Sequence, residues 1–272
     1  MTSTAFVLGG GGILGSAEVG MLRALLERGF TPDLVVGSSV GALNGLAIAA
    51  RPDLDAVDRL TRTWTTLQSR DVFSSSVIGQ LGNVLRHGTY LHDNWGLKHL
   101  ISESAPGASI EDLQVRYQCV AACIEDASAT WFDSGPVLDA VLASCAVPGL
   151  LPPVSIGAKH YVDGGLVASV PVGRAVELGA TRVFVLHVGR IEKPLTLPSR
   201  PWEVALVAFE IARRHQFSAD MQRVPAGVEV HVLPAGTAAE TVSVRYRRTA
   251  SVAERIDVAH RASSAFLDRL MA

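Results

Sequence analysis

The most informative residues of this chain are the five from Gly37 to Gly41, which match the pattern G-x-S-x-G. They follow an apolar run at residues 33–36 and precede a helix-forming stretch, 42–50, that stops at Pro52. A strand, a sharp turn and a helix in this order lift the central serine out of the backbone, and the flanking glycines relieve the strain of that turn. The start of a helix also favours developing negative charge. The pattern therefore predicts Ser39 as a nucleophile at the edge of a sheet.

A glycine-rich loop, residues 9–15, follows directly after the first predicted strand, Thr4–Leu8. Residues 10–15 also fit G-x-G-x-x-G, the pattern of a dinucleotide-binding loop. Such a site needs an acidic residue at the end of the second strand, whereas Asp33 precedes that strand. A right-handed crossover brings the ends of two parallel strands to one edge of the sheet, which would lay this loop beside Ser39. We therefore expect its main-chain N–H groups to form an oxyanion hole rather than a nucleotide site.

A serine nucleophile needs a group that accepts its proton, and residues 161–165 supply a carboxylate at the end of a short β-type run. Here Asp163 is followed by Gly164 and Gly165. In isolation, an Asp-Gly pair indicates only a turn. A Ser–Asp–His triad is the alternative, and His187 is its best-placed histidine because it lies near the end of a predicted strand. An aspartate that acts without a histidine must be tuned by burial or by hydrogen bonds.

Together the three segments resemble the motifs of the patatin-like phospholipases, and they occur in that family's order within residues 4–176. Residues 143–153 also look like the stretch before the family's aspartate. The resemblance implies a three-layer α/β/α fold with a mostly parallel central sheet. It also implies a hydrolase of lipid or other acyl esters that works through a Ser–Asp dyad and an acyl-enzyme, with neither a metal nor an organic cofactor.

The resemblance extends to individual residues of the three motifs. It implies that Ser39 is the nucleophile and Asp163 the proton acceptor. The implied oxyanion hole is the main chain of the loop, contributed by Gly10, Gly11, Gly12 and Ile13. Five further glycines would shape the turns of the motifs: Gly15, Gly37, Gly41, Gly164 and Gly165.

Two positions depart from the family's pattern. Leu14 stands where the family commonly has Arg or Lys, which removes a positive charge near the site, and Ser169 stands where it often has Asn. Main-chain donors depend on neither side chain, so we still expect catalysis. The missing cation leaves a second hypothesis, a catalytically weak lipid-binding or regulatory protein on the same fold.

An acyl chain needs an apolar groove beside the serine. The loop offers Leu14 for this groove, and the irregular segment 70–107, which we interpret as an insertion over one edge of the sheet, offers Phe73, Val77 and Leu81. Packing of that segment onto the domain is an equal alternative for these side chains.

Apolar β-type runs alternate with helical patterns along the chain, which is typical of an α/β fold. Besides Thr4–Leu8 and 33–36, strands are predicted at 117–124, 129–132, 181–188 and 228–233. Helices are predicted at 16–28, 54–67, 136–146, 172–178, 202–223 and 250–270. We expect one domain over residues 1–272, in which 180–272 complete the motif-bearing core of about 4–176.

Composition argues against several other classes of protein. The 272 residues are 48% hydrophobic and 18% charged with a net charge of −2, which argues against a nucleic-acid binder with its basic face. The N-terminus lacks the pattern of a signal peptide and no run reaches ~18 apolar residues. We therefore expect a cytoplasmic protein, with peripheral membrane contact left open and the oligomeric state undetermined. Cys119, Cys123 and Cys145 are too few and wrongly spaced for a structural zinc site, and we expect the first two to be buried free thiols.

Overall fold

The computed structural model describes residues 2–69, 94–105, 107–188, 194–199, 201–236 and 251–272. The strands in these ranges are β1 (Thr4–Leu8), β2 (Leu34–Ser38), β3 (Arg116–Cys123), β4 (Ser128–Phe132), β5 (Val154–Ile156), β6 (Lys159–Asp163), β7 (Arg182–Leu186) and β8 (Glu229–Leu233). The helices are α1 (Ser16–Glu27), α2 (Val40–Ala50), α3 (Leu54–Ser69), α4 (Trp95–Ser104), α5 (Val137–Ser144), α6 (Gly165–Ala168), α7 (Val172–Glu177), α8 (Pro201–Gln222) and α9 (Val252–Met271). Short 3₁₀ helices occupy Gly12–Gly15 and Ile110–Asp112.

The strands form one sheet in the order β5-β6-β3-β2-β1-β7-β8, with β4 also paired to β3. The pairs that join β3, β2, β1, β7 and β8 are parallel, and the pairs made by β4, β5 and β6 are antiparallel. The predicted α/β fold with a mostly parallel central sheet is therefore confirmed. Because β1 and β2 are neighbours, with Leu8 opposite Gly37, the segments that follow them leave the same edge of the sheet.

Helices cover both faces of the sheet, because alternate residues of a strand point to opposite sides. In β1, Phe6 and Leu8 belong to a large core that also contains side chains of α1, α2, α3 and α9. Ala5 and Val7 belong to a smaller core on the other face, with side chains of α7 and α8. Burial on both faces explains why β1 and β2 are almost uniformly apolar. The result is the three-layer α/β/α arrangement.

Strands β2 and β6 share one edge of β3, whose other edge is occupied by β4. β2 runs parallel to β3 as far as Ser38, which pairs with Val120. β6 runs in the opposite direction as far as Asp163, which pairs with the next residue, Ala121. The two strands therefore meet end to end, and this meeting brings the residue after β2 to the last residue of β6.

Several elements differ from the sequence prediction, among them the short helices Ile110–Asp112 and α6, which were not predicted. Helix α4 lies in the segment interpreted as irregular, and its Ile101 is fully buried in the large core. Strands β5 and β6 form a hairpin before Asp163, where the sequence indicates only a short β-type run. The end of the glycine loop is a 3₁₀ helix, Gly12–Gly15. The other predicted strands and helices occur with their ends within two residues of the prediction.

No helix within the described ranges has the length and hydropathy that a membrane span requires. The three cysteines are free and buried, as predicted for Cys119 and Cys123.

Candidate active site

Ser39 occupies a strained turn between β2 and α2. Its backbone has φ 54° and ψ −128°, in the left-handed half of conformational space that a residue with a Cβ rarely adopts. The hydroxyl group therefore stands at the start of α2 and at the carboxyl end of β2. This is the strand–turn–helix geometry that the G-x-S-x-G pattern predicts.

The five supporting glycines allow close backbone contacts around the turns. At Gly15, Gly37, Gly41, Gly164 and Gly165, an added Cβ would come within 3.0 Å of another atom. The tightest case is Gly164, where a Cβ would lie 2.1 Å from the Val120 carbonyl oxygen of β3. Any side chain at this position would push the turn after Asp163 off the sheet.

The structure brings Ser39 and Asp163 into direct contact. Ser39 Oγ donates a hydrogen bond to Asp163 Oδ2 at 2.6 Å. The other carboxylate oxygen, Oδ1, accepts a hydrogen bond from the Gly165 N–H at 2.7 Å. Only 6% of Ser39 and 5% of Asp163 is exposed, so the pair is almost completely removed from water.

Burial gives Asp163 the basicity that its proposed role requires. Loss of solvent raises the pKa of Asp163 from 3.8 to about 6, and the hydrogen bonds from Ser39 and Gly165 limit the rise. An ordinary aspartate is a weak base for a hydroxyl group. At neutral pH, Asp163 is still ionised and is a stronger base than an exposed aspartate.

The C-terminal end of α5 holds both turns in place, and the sequence analysis assigned it no role. The Ser39 N–H donates to Ser144 Oγ at 2.9 Å, and the Gly164 N–H donates to the Ser144 carbonyl oxygen at 3.1 Å. Cys145 Sγ donates to the Ser39 carbonyl oxygen at 3.0 Å, and burial raises the pKa of this thiol, so it keeps its proton. Both residues lie in the segment 143–153 that resembles the family, which was the signal available.

The glycine loop lies beside the serine, but one of its predicted oxyanion donors already makes another hydrogen bond. The Gly10 N–H donates to the Ser169 carbonyl oxygen at 2.9 Å, so its prediction as an oxyanion donor is corrected. Gly11, Gly12 and Ile13 stand at the start of the 3₁₀ helix. Their N–H groups have no carbonyl partner among the described residues.

Gly10 nevertheless marks how close the loop comes to the nucleophile. A Cβ added to Gly10 would lie 3.3 Å from the Cβ of Ser39 and 3.6 Å from Ser169 Oγ. The main chain of the loop is therefore close to the Ser39 side chain.

The structure does not join His187 to the serine and the aspartate. Arg213 Nη1 lies 3.2 Å from His187 Nε2, and because guanidinium only donates, this nitrogen is the acceptor. Burial, together with the charge of Arg213, lowers the pKa of His187 to about 3. The two oxygens of Asp163 bond instead to Ser39 and Gly165. The described geometry therefore pairs Ser39 with Asp163 and leaves His187 with Arg213.

A buried polar network lies behind the glycine loop, and the sequence analysis missed it. Asn44 Nδ2 of α2 donates to the Gly15 carbonyl oxygen at 3.0 Å and to Glu18 Oε2 at 2.8 Å. Trp64 Nε1 of α3 donates to Asn44 Oδ1 at 3.0 Å. The only available signal was a lone asparagine in the otherwise apolar helix α2.

The predicted acyl groove is only partly located. Leu14 is partly buried and packs against the large core, and its neighbour Ile13 is 44% exposed, so the place of Leu14 in a groove stays a prediction. Phe73, Val77 and Leu81 lie outside the described residues. An apolar side chain that the sequence did not indicate lies close to Gly165: a Cβ added there would lie 3.3 Å from Phe209 Cζ.

The site holds no cluster typical of metal binding. Among the described residues there is no group of three or more His, Cys, Asp or Glu side chains that could bind a metal ion.

Comparison with known proteins connects this geometry to a family. The family model for patatin-like phospholipases matches residues 6–176. The chain is 34% identical over 197 residues to the patatin-like phospholipase domain-containing protein ZK370.4 of Caenorhabditis elegans, covering 69% of this chain and 14% of that protein. It is 32% identical over 197 residues to lysophospholipase nte1 of Aspergillus terreus, covering 70% of this chain and 12% of that protein. The matched region is thus a small part of these much longer relatives.

A solved structure shares the fold. The crystal structure of VipD from Legionella pneumophila superimposes with a TM-score of 0.53 and 14% sequence identity. The superposition covers 98% of this chain and 67% of VipD.

Proposed function

Because the chain belongs to the patatin-like phospholipase family, we propose that it hydrolyses carboxylic esters of lipids, as a phospholipase A, a lysophospholipase or a carboxylesterase. The observation that carries this proposal is the 2.6 Å hydrogen bond from Ser39 Oγ to Asp163 Oδ2 in a strained, buried turn. That bond gives the serine proton a direct path to a base whose pKa is about 6.

The reaction begins with attack of Ser39 Oγ on the ester carbonyl carbon. As the new O–C bond forms, the Ser39 proton moves to Asp163 Oδ2, and the carbonyl oxygen becomes an oxyanion. The alcohol part of the substrate then leaves with that proton, and an acyl-Ser39 ester remains. A water molecule repeats the sequence: it gives a proton to Asp163, attacks the acyl carbon and releases the fatty acid, and Ser39 recovers the proton.

The glycine loop supports this reaction through its main chain. We assign the oxyanion hole to the N–H groups of Gly11, Gly12 and Ile13, which have no carbonyl partner in the described part of the chain. Loss of one such donor typically costs about 3–4 kcal/mol in the transition state. The start of α2, directly after Ser39, adds a favourable helix dipole.

A lipid substrate agrees with the surroundings of the dyad. Two exposed apolar side chains adjoin the motifs: Ile13 in the loop is 44% exposed, and Leu166 after Gly165 is 43% exposed. Apolar side chains at the mouth of a site suit acyl chains and allow peripheral contact with a lipid surface. The names of the relatives, phospholipase and lysophospholipase, point to the same substrate class.

The test is hydrolysis of p-nitrophenyl esters of increasing acyl length and of lysophospholipid. The chain offers a matched control, because Ser38 precedes Ser39 and its buried Oγ has no partner among the described residues. Ser39→Ala should reduce kcat by as much as about 10⁶-fold. Ser38→Ala should change it by less than about threefold, since the hydroxyl it removes has no hydrogen-bond partner among the described residues.

Either of two results would contradict this proposal. A wild type that is inactive on every ester but binds lipid vesicles would support the weak lipid-binding alternative. A Ser39→Ala variant as active as the wild type would show that another group is the nucleophile.

A further inference from the structure

Phe209 of α8 is the aromatic side chain that adjoins the dyad. Gly165 lies between the two: its N–H donates to Asp163 Oδ1 at 2.7 Å. A Cβ added to Gly165 would lie 2.9 Å from that same oxygen and 3.3 Å from Phe209 Cζ. The tip of the ring is therefore separated from the Asp163 carboxylate only by the backbone of one glycine.

The Phe209 ring is both accessible and held in place. Phe209 is 37% exposed. Leu166, the residue after Gly165, is 43% exposed. Helix α8 is anchored to α6 by a hydrogen bond from Gln216 Nε2 to the Val167 carbonyl oxygen. Between these two residues of the helix, Arg213 is buried and forms an ion pair with Glu210 at 2.7 Å. A partly exposed ring on a fixed helix is free to contact a ligand that reaches Asp163.

The proposed reaction fixes which part of a substrate comes to this side. During acylation, the bond from Ser39 Oγ to the acyl carbon forms, and the bond from that carbon to the alcohol oxygen breaks. The proton held on Asp163 Oδ2 goes to the departing alcohol oxygen, which must therefore lie next to Asp163. The carbonyl oxygen faces the glycine loop at the same time. Phe209, which lies on the Asp163 side, is thus on the side of the leaving alcohol.

We propose that Phe209 contacts the alcohol part of the ester and determines which alcohols this enzyme releases, favouring apolar and aromatic ones. The inference rests on the proposed function and adds to it the residue that selects the leaving group. Phe209 lies beyond residues 6–176, the part of the chain that the family model matches. The selecting side chain therefore comes from the C-terminal part of the chain.

The experiment uses two ester series with the full chain. One series keeps the butyryl group and varies the alcohol between methyl and benzyl, and the other keeps p-nitrophenol and lengthens the acyl group. Phe209→Ala should lower kcat/KM for the benzyl ester about tenfold relative to the methyl ester, because contact between aromatic rings is lost. The dependence on acyl length should stay that of the wild type.

Ile211→Ala is the matched control. Ile211 is 55% exposed on the same helix, but two residues along, at ~100° each, it points away from Phe209. This variant should keep the wild-type preference in both series. Hydrolysis of the acyl-enzyme should also be unchanged in Phe209→Ala, since the alcohol has already left, so the effect should be confined to the burst phase.

Three results would overturn the inference. An unchanged benzyl-to-methyl ratio in Phe209→Ala would mean that the ring only packs on Gly165. A shift in acyl-length preference would place the ring beside the acyl chain. A wild type inactive on all esters would overturn the proposed function and this inference together, whereas the first two results leave the proposed function intact.

Discussion

Two buried carboxyl groups lie close to the glycine loop, and their surroundings give them different properties. Asp163 is next to Ser39, and Glu18 in α1 is behind the loop. Burial raises the pKa of both. For Asp163 the pKa rises only to about 6, whereas for Glu18 it rises well above the ordinary 4.5. The same physical cause thus raises the pKa of both groups, and Asp163 is the one in contact with Ser39.

Hydrogen bonds limit the rise of the pKa in both groups. Each oxygen of Asp163 accepts one bond, from Ser39 and from the Gly165 N–H. In Glu18, Oε2 accepts from Asn44, while Oε1 has no partner among the described residues. Donors on both oxygens stabilise the ionised form, and burial alone does not. Burial therefore makes Asp163 more basic, and its two hydrogen bonds limit the rise, so that its pKa is about 6.

The largest expected contrast is in activity. Asp163→Asn should reduce kcat/KM for p-nitrophenyl esters by about 10³–10⁴-fold, because an amide cannot accept the Ser39 proton. Glu18→Gln should change it by less than about fivefold, since Glu18 bonds to Asn44 behind the loop, whereas the Ser39 hydroxyl bonds to Asp163. Steady-state kinetics at pH 8 would decide. Equal losses in the two variants would show that both carboxyl groups take part in the chemistry.

The next contrast is in stability as a function of pH. Folded Asp163 has a pKa of about 6 against 3.8 in the unfolded chain, so the folded state binds more protons between these values and loses stability as pH rises through that window. Asp163→Asn removes this loss and should stabilise the protein by at most about 3 kcal/mol at pH 8, with no gain near pH 3.5. Urea unfolding at both pH values is the measurement.

Glu18→Gln is the comparison for that measurement. Burial raises the pKa of Glu18 as well, so the gain in stability of Glu18→Gln over the wild type should begin above pH 4.5, and that of Asp163→Asn above pH 3.8. An Asp163→Asn gain that is the same at pH 3.5 and pH 8 would disprove that burial of charge is its cause.

The pH dependence of activity should follow Asp163 as well. The base must be ionised, so kcat/KM should be constant above about pH 6 and fall about tenfold per unit below it, or about a hundredfold by pH 4. Neutral p-nitrophenyl esters avoid titration of the substrate. Glu18→Gln should keep the same midpoint. A shifted midpoint in this variant would mean that Glu18, and not Asp163, controls the pH dependence of kcat/KM.

The smallest effect is expected behind the loop. Trp64→Phe removes the donor to Asn44 Oδ1 and should lower the free energy of unfolding by about 1–2 kcal/mol, with activity changed less than about threefold. Tyr117→Phe is a suitable control, since it also removes a buried donor, in this case to the Ala42 carbonyl oxygen. A large loss of activity in Trp64→Phe but not in Tyr117→Phe would mean that the network positions the loop for catalysis.

The sequence predicted those parts of the site that local patterns encode. The strand–turn–helix around Ser39 and the neighbouring glycine loop follow from residue spacing and from the handedness of the crossover. The contact of Ser39 with Asp163 followed from the family resemblance, because the meeting of β2 and β6 on β3 is not visible in either segment. Helix α4 was missed because its apolar residues span only ten positions among Gly, His and Ser.

Residues that act through long-range contacts were not predictable in this way. Ser144 reaches the Ser39 N–H across 105 positions, and Phe209 approaches Gly165 from another helix. The hydrogen bond from the Gly10 N–H is likewise made to Ser169, which lies far along the chain. Such pairings depend on how elements pack, and composition and periodicity carry no information about packing partners.

The end-to-end meeting of β2 and β6 also governs the order of folding events. Ser39 and Asp163 are 124 positions apart, and contacts at such separation form slowly because a long loop must close first. The β5–β6 hairpin has only local pairing, so it can form early but must still dock against β3. During refolding, the proposed activity cannot recover before the hairpin docks on β3. The recovery of activity would therefore measure when docking occurs, which a spectroscopic signal of helix content could not do.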